Sequence, residues 1–182
     1  MLLGGGSKQY QKLYLDSMIP MRKHIFYRAM TKTGEDIRFA GEVQTTGNTP
    51  ASKIATDPQA QHLGCFAGGM VAIGSKIFQN TKDLDLARKL MAGCLWGYEV
   101  SPLGVMPEII HTVRCEDENE CPWDEKKWHA AIKWHSGSDN ILATIEKQSL
   151  PPGISKFDDT RYILRLVDTH PQLFIPPKSA TY

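Results

Sequence analysis

The sequence predicts an all-α protein, an array of helical hairpins with short strands between them. Three observations lead there. Apolar residues recur at three- and four-residue steps over long segments. The alternating segments are few and short. Helices follow one another in pairs of similar size, without the strand–helix alternation that a parallel α/β sheet requires.

Each element has its own warrant. Gly4-Gly5-Gly6 is a loop, and Ser7 is a good helix N-cap. From Lys8 to about Thr31, the spacing of Tyr10, Leu13, Tyr14, Met18, Met21 and Ile25 predicts a helix. Pro20 should bend or split it, and Thr33-Gly34 ends it. Ile37, Phe39, Gly41 and Val43 alternate, which predicts a short strand within Asp36 to Thr45. Gly47-Asn48-Thr49-Pro50 is a turn. A second helix is expected from Pro58 or His62 to Phe78. Asn80-Thr81 caps a third, whose apolar face is Leu84, Leu86, Leu90, Met91, Cys94, Leu95 and Tyr98. Pro107 to Val113 is apolar and β-branched, hence extended. Asp124 to Trp134 is a short helix. His135 to Asp159 is loop-like, and Leu166 to Tyr182 carries three prolines and no period, the pattern of an irregular tail.

The chain has 182 residues, enough for one domain with a real core. Its 21 basic and 20 acidic residues give a net charge of +1. That balance offers no electrostatic case for nucleic acid or an anionic membrane. No stretch approaches the roughly 20 apolar residues of a membrane span. The start, Met1-Leu2-Leu3 followed by three glycines, lacks the apolar centre of a signal peptide. Trp96, Trp123, Trp128 and Trp134 could stack on sugar rings, but packing is the more ordinary use of tryptophan.

Cys65, Cys94, Cys115 and Cys121 allow three pairings. A bridge between Cys115 and Cys121 would staple the acidic turn Glu116 to Glu120. One between Cys65 and Cys94 would tie two successive helices together. Disulfides, buried thiols and a metal site are the alternatives; the short spacings that zinc favours are missing. The acidic turn also lacks the pattern of a helix–loop–helix calcium site, so a solvated loop is expected. Disulfides imply an oxidising compartment, at odds with the missing signal peptide, and this suggests an incomplete chain.

The most informative stretch is Gln61-His62-Leu63-Gly64-Cys65-Phe66-Ala67-Gly68-Gly69-Met70. Its small residues let a backbone or a ligand come close, beside a histidine at a helix start. Further phrases follow in order: Cys94-Leu95-Trp96-Gly97-Tyr98, Gly104-Val105-Met106-Pro107-Glu108, Cys121-Pro122-Trp123-Asp124-Glu125-Lys126-Lys127-Trp128, Leu150-Pro151-Pro152-Gly153 and Arg161-Tyr162-Ile163-Leu164-Arg165. Together they resemble the class I α-1,2-mannosidases, glycoside hydrolase family 47, in their fungal branch. The resemblance covers about residues 3 to 165. It assigns residues 1–165 to part of a catalytic domain and leaves 166–182 as a tail outside the family.

The resemblance implies an (α/α)7 barrel of paired helices, seven inner and seven outer, of which this chain holds a part. It implies calcium-dependent, inverting hydrolysis of terminal α-1,2-mannose from N-glycans, with a high-mannose glycan as partner. The endoplasmic reticulum, the Golgi or the cell exterior is then the expected location of the intact parent. His62 matches a histidine lining the sugar pocket; the bland alternative is a helix-start histidine satisfied by backbone. Glu108 matches a carboxylate facing the pocket; the alternative is a charge capping a strand. Arg165 matches the arginine before the family's Arg-Pro-Glu phrase and is assigned with them to substrate binding. Cys65 and Cys94 match the family's disulfide pair.

The departures bear on catalysis. Inverting hydrolysis needs a carboxylic acid and a carboxylate base with a water between them. Where the family places its base glutamate, this chain has Val167, flanked by Leu166 and Asp168. Valine takes no proton, and Asp168 stands one position late. The family's acid and its calcium-binding threonine have no counterpart here, so no catalytic residue and no metal ligand is assigned. The expectation is an internal fragment, inactive by itself. A non-catalytic glycan-binding module is the rival reading, and exposed helix faces that self-associate are a third.

Overall fold

The computed structural model describes residues 7–50, 53–100, 105–106 and 108–136. Four helices and four short strands follow in the order α1 (Lys8–His24), β1 (Phe26–Arg28), β2 (Arg38–Ala40), β3 (Gln59–Gln61), α2 (Phe66–Ile77), α3 (Thr81–Glu99), β4 (Ile109–His111) and α4 (Glu125–Ser136). A 3-10 turn, His62–Cys65, joins β3 to α2. Helices supply about half of the described residues, and these residues close no barrel. No described helix is long and apolar enough to cross a membrane.

The first helix is shorter than its periodicity predicts. It ends at His24, where the Ile25 N–H bonds the Met21 carbonyl at 2.9 Å. Phe26, Tyr27 and Arg28 then pair antiparallel with β2, in the register Phe26↔Ala40, Tyr27↔Phe39, Arg28↔Arg38. All three are buried, and sheet pairing satisfies their buried backbone groups. Pro20 lies inside α1 without dividing it, and Ser7 holds the N-cap position without a side-chain bond. The second helix also starts later than expected. Residues 59–61 form a strand against β4, with Ala60 opposite Ile110.

α3 organises the rest. Asn80 caps it through its side-chain oxygen, which accepts from the Lys82 and Asp83 N–H groups. This supplies acceptors to two of the four unpaired donors of a helix start. Asp83 is fully buried, yet its charge is compensated. It pairs with Arg22 of α1 and accepts bonds from Asn80 Nδ2 at 2.9 Å and Tyr14 Oη at 3.4 Å. One face of α3 meets α2, where Gly68 makes room for Met91; a Cβ on that glycine would lie 2.9 Å from the Met91 sulfur. Its other face lies on both small sheets. Gly93 sits over the Arg38 carbonyl of β2 and Gly97 over Ile110 of β4.

Among the described residues the core has three parts. Tyr27, Ile37, Phe39, Ala60, Met106 and Ile110 form one between the sheets and α3. Met18, Phe26, Val71, Leu86 and Leu90 form another among the helices. Met30, Cys115 and Trp128 form the third under α4. The strands thus line the first cluster, so the all-α expectation holds for the helical half and understates the sheets.

Tyr27 links the sheet systems. Its phenol donates to the Pro58 carbonyl at 2.9 Å and shares a 2.6 Å bond with Thr112 Oγ1. Burial pushes its pKa well above the ordinary 10.0. An unfolded tyrosine ionises near that ordinary value, while the folded one stays protonated. The unfolded state therefore binds fewer protons at alkaline pH, and stability falls as pH rises through and beyond about 10. Urea unfolding between pH 9 and 11 should show this fall, and Tyr27→Phe should flatten it. An equal slope in both proteins refutes the assignment.

Candidate functional site

His62 is brought to its neighbours by three constraints. The β3–β4 ladder pairs Gln61 with Ile109, and the His62 N–H extends it by donating to the Glu108 carbonyl at 2.8 Å. Next, Cys65 is bonded to Cys94, with an S–S distance of 2.11 Å and Cα atoms 5.8 Å apart. That bridge fastens the 3-10 turn to α3. Finally, Tyr98 follows Cys94 by four residues, one helical turn along the same face. The result is a bond of 2.6 Å between His62 Nε2 and Tyr98 Oη. The two rings meet edge to face, with centroids 5.8 Å apart and planes at 75°.

The surroundings are mixed. Met106 is buried, with its sulfur 3.7 Å from Cys65 Sγ, a van der Waals contact since a disulfide sulfur carries no proton. Glu108 is exposed and His62 half-buried. Leu63 and Phe66, next along the chain, are 65% and 77% exposed. An imidazole, a phenol and a carboxylate are donor and acceptor types that can recognise a neutral polyol. They do not make the opposed carboxyl pair of an inverting glycosidase.

The sequence-predicted residues thus divide. His62 and Glu108 are joined through backbone. Arg165 and Val167 lie outside the described residues. Both disulfides are formed, the second between Cys115 and Cys121, with Cα atoms 5.5 Å apart. Tyr98 was missed as a site residue, although its place four residues after Cys94 was readable. The run of small residues after Cys65 has an internal use. Gly68 accommodates Met91, and Gly74 accommodates the Tyr14 ring, whose Cζ lies 2.2 Å from where a Cβ would stand.

Other candidates resolve into structure. Trp128 is buried and packs on Trp123, ring centroids 5.6 Å apart, while Trp96 meets Phe39 edge-on at 6.1 Å. The acidic turn is occupied with local bonds. Glu116 pairs with Lys127 and Glu118 with Arg38, each at 2.8 Å, and Asp117 accepts from the Asn119 N–H. The carbonyls of Glu118 and Asn119 accept from buried Arg28. Among the described residues no three of His, Cys, Asp or Glu converge as metal ligands.

A concavity of about 420 Å³ elsewhere on the surface is lined by Arg22, Arg38, Lys82, Lys89, Asp85 and Glu118 among others. Lys89 bridges Asp36 at 2.8 Å and Asp85 at 2.9 Å. The hydrogen bond from Lys89 holds the Asp85 pKa below its ordinary value, and bonds to Asp36 and Asp85 raise that of Lys89. Its basic groups are mostly matched by carboxylates, and neither His62 nor Glu108 lines it.

Residues 1–166 match the profile of glycosyl hydrolase family 47. A probable mannosyl-oligosaccharide α-1,2-mannosidase 1B of Neosartorya fischeri is 31% identical over 70 residues, 38% of this chain and 13% of the relative. Proteins of the same description from two strains of Aspergillus fumigatus are 32% identical over 68 residues, covering 37% of this chain and 13% of theirs. The aligned stretch is therefore about an eighth of the length of the relatives it matches. The family match extends over nearly all of the chain, and the chain belongs to glycosyl hydrolase family 47.

Proposed function

We propose that residues 1–165 are part of the catalytic domain of an inverting α-1,2-mannosidase that trims N-glycans in the secretory pathway. The observation that carries the reading is the family match over residues 1–166. The junction of His62 with Glu108 supports a sugar-facing wall at the end of β3, with Arg165 as a further contact. In the parent fold this wall belongs to a barrel of paired helices with a bound calcium ion. The two disulfides suit the oxidising lumen of that pathway.

The wall alone handles no proton on both sides of a glycosidic bond. Glu108 is its one assigned carboxylate, and Val167 occupies the position matching the family base. General acid–base assistance is worth on the order of 10²–10⁴-fold, so we expect this 182-residue chain to hydrolyse nothing measurable by itself. An assay on α-1,2-mannobiose, with calcium and with chelator, checks it. Calcium-dependent mannose release above buffer contradicts the inactive reading. The outward Phe66, Ile73 and Ile77 of α2, each more than half exposed, support self-association. Sedimentation of the same preparation as a monomer alone removes that part.

A further inference from the structure

We propose that Tyr98 is a positioning residue that fixes His62 in the Nδ1–H tautomer, so that its free ring edge donates to a sugar hydroxyl. The ligand in this statement rests on the mannosidase reading above; the tautomer does not.

The argument begins with the 2.6 Å bond between His62 Nε2 and Tyr98 Oη. Either atom could donate. A phenol is the stronger hydrogen donor and a neutral imidazole nitrogen the stronger acceptor, so the proton lies on Oη and Nε2 accepts it. A neutral imidazole carries one N–H, which then resides on Nδ1. Free in water, histidine prefers the opposite form, so the tyrosine reverses a default.

The placement is not incidental to packing. His62 is anchored on its backbone side by the Glu108 carbonyl, and three residues later by the Cys65–Cys94 bridge. Tyr98 stands on α3, one turn beyond that bridge. The pair is thus held from both elements, with little freedom to rotate apart. Tyr98 is 37% exposed and His62 half-buried, so solvent reaches the pair. Among the described residues Nδ1 has no hydrogen-bond partner. A fixed donor on the residue whose N–H bonds the Glu108 carbonyl suits a hydroxyl group, which accepts from the imidazole and can give its own proton to a carboxylate such as the exposed Glu108. An Nε2–H tautomer would present an acceptor on that edge, and a hydroxyl held by a carboxylate has no second proton for it.

Two-bond 1H–15N spectra of the whole chain at pH 8.5, where an ordinary imidazole is neutral, report the tautomer directly. We expect His62 in the wild-type chain as mainly Nδ1–H, and in Tyr98→Phe as mainly Nε2–H, with the other histidines unchanged. A wild-type spectrum showing Nε2–H overturns the proposal without need of any variant. So does a Tyr98→Phe spectrum that keeps the wild-type pattern. Titration with α-1,2-mannobiose separates the two readings. Binding about 5-fold weaker in Tyr98→Phe, for the loss of one oriented hydrogen bond, supports the positioning role. No mannobiose-dependent shift at His62 in the wild-type chain refutes the glycan reading and leaves the tautomer result standing.

Discussion

Replacing both members of the first disulfide, Cys65→Ala/Cys94→Ala, is expected to lower the unfolding free energy by about 3–4 kcal/mol. The bridge closes a loop with a sequence separation of 29. In the chain-entropy account, most of its effect lies in restricting the unfolded chain. The second bridge spans a separation of only 6, so Cys115→Ala/Cys121→Ala should cost less, about 2 kcal/mol by the same account. The ordering is the test, because both pairs are replaced by the same residue. Urea midpoints should fall further for the first pair than for the second. The reverse order would falsify the loop-length argument and point to the local bonds of the acidic turn, where Glu118 and Asn119 hold Arg28. The first pair has a further consequence that the second lacks. Freed from Cys94, the 3-10 turn no longer holds His62 against Tyr98, and the histidine should revert to its solvent tautomer.

The unequal legibility of this fold has physical causes. α3 was readable because its signals are local: Asn80 caps it, and its apolar period runs unbroken to Tyr98. β1 was not, because Phe26 and Tyr27 continue the apolar steps of α1, and three consecutive buried residues show no alternation. Gln59-Ala60-Gln61 does alternate, but three residues are too few to distinguish from a helix start. Their strand exists because Ile109–His111 lies alongside, 50 residues later. His62 and Glu108 meet for that same long-range reason, which spacing alone does not express. The resemblance pointed to both residues, but their junction needed the fold. α2 shows the remaining limit. Its period announces a helix but not which side turns inward. The large residues Phe66, Ile73 and Ile77 face out, while Gly68, Val71, Gly74 and Ser75 are buried. Close approach of α3 and Tyr14 selects the small face, and that selection belongs to packing.

Gly93→Ala should destabilise the protein by about 3 kcal/mol, against the ordinary preference of a helix. In an open helix the same exchange is worth about 1 kcal/mol in alanine's favour. At Gly93 the added Cβ would lie 2.2 Å from the Arg38 carbonyl oxygen and 3.4 Å from the Phe39 ring. The obstructing atom is backbone, fixed in the β1–β2 ladder, so it cannot turn away as a side chain does. Overpacking a tight contact costs about 1–3 kcal/mol and sometimes more, and here it must also exceed the helical gain. Gly69, on α2, supplies the control. It is exposed, and nothing lies within 4 Å of where its Cβ would stand. Gly69→Ala should therefore raise stability by about 1 kcal/mol. Opposite signs for two glycine-to-alanine exchanges cannot come from propensity, which treats both positions alike. If thermal unfolding finds Gly93→Ala as stable as Gly69→Ala, α3 does not rest on β2, and the clamp that joins His62 to Tyr98 loses its base.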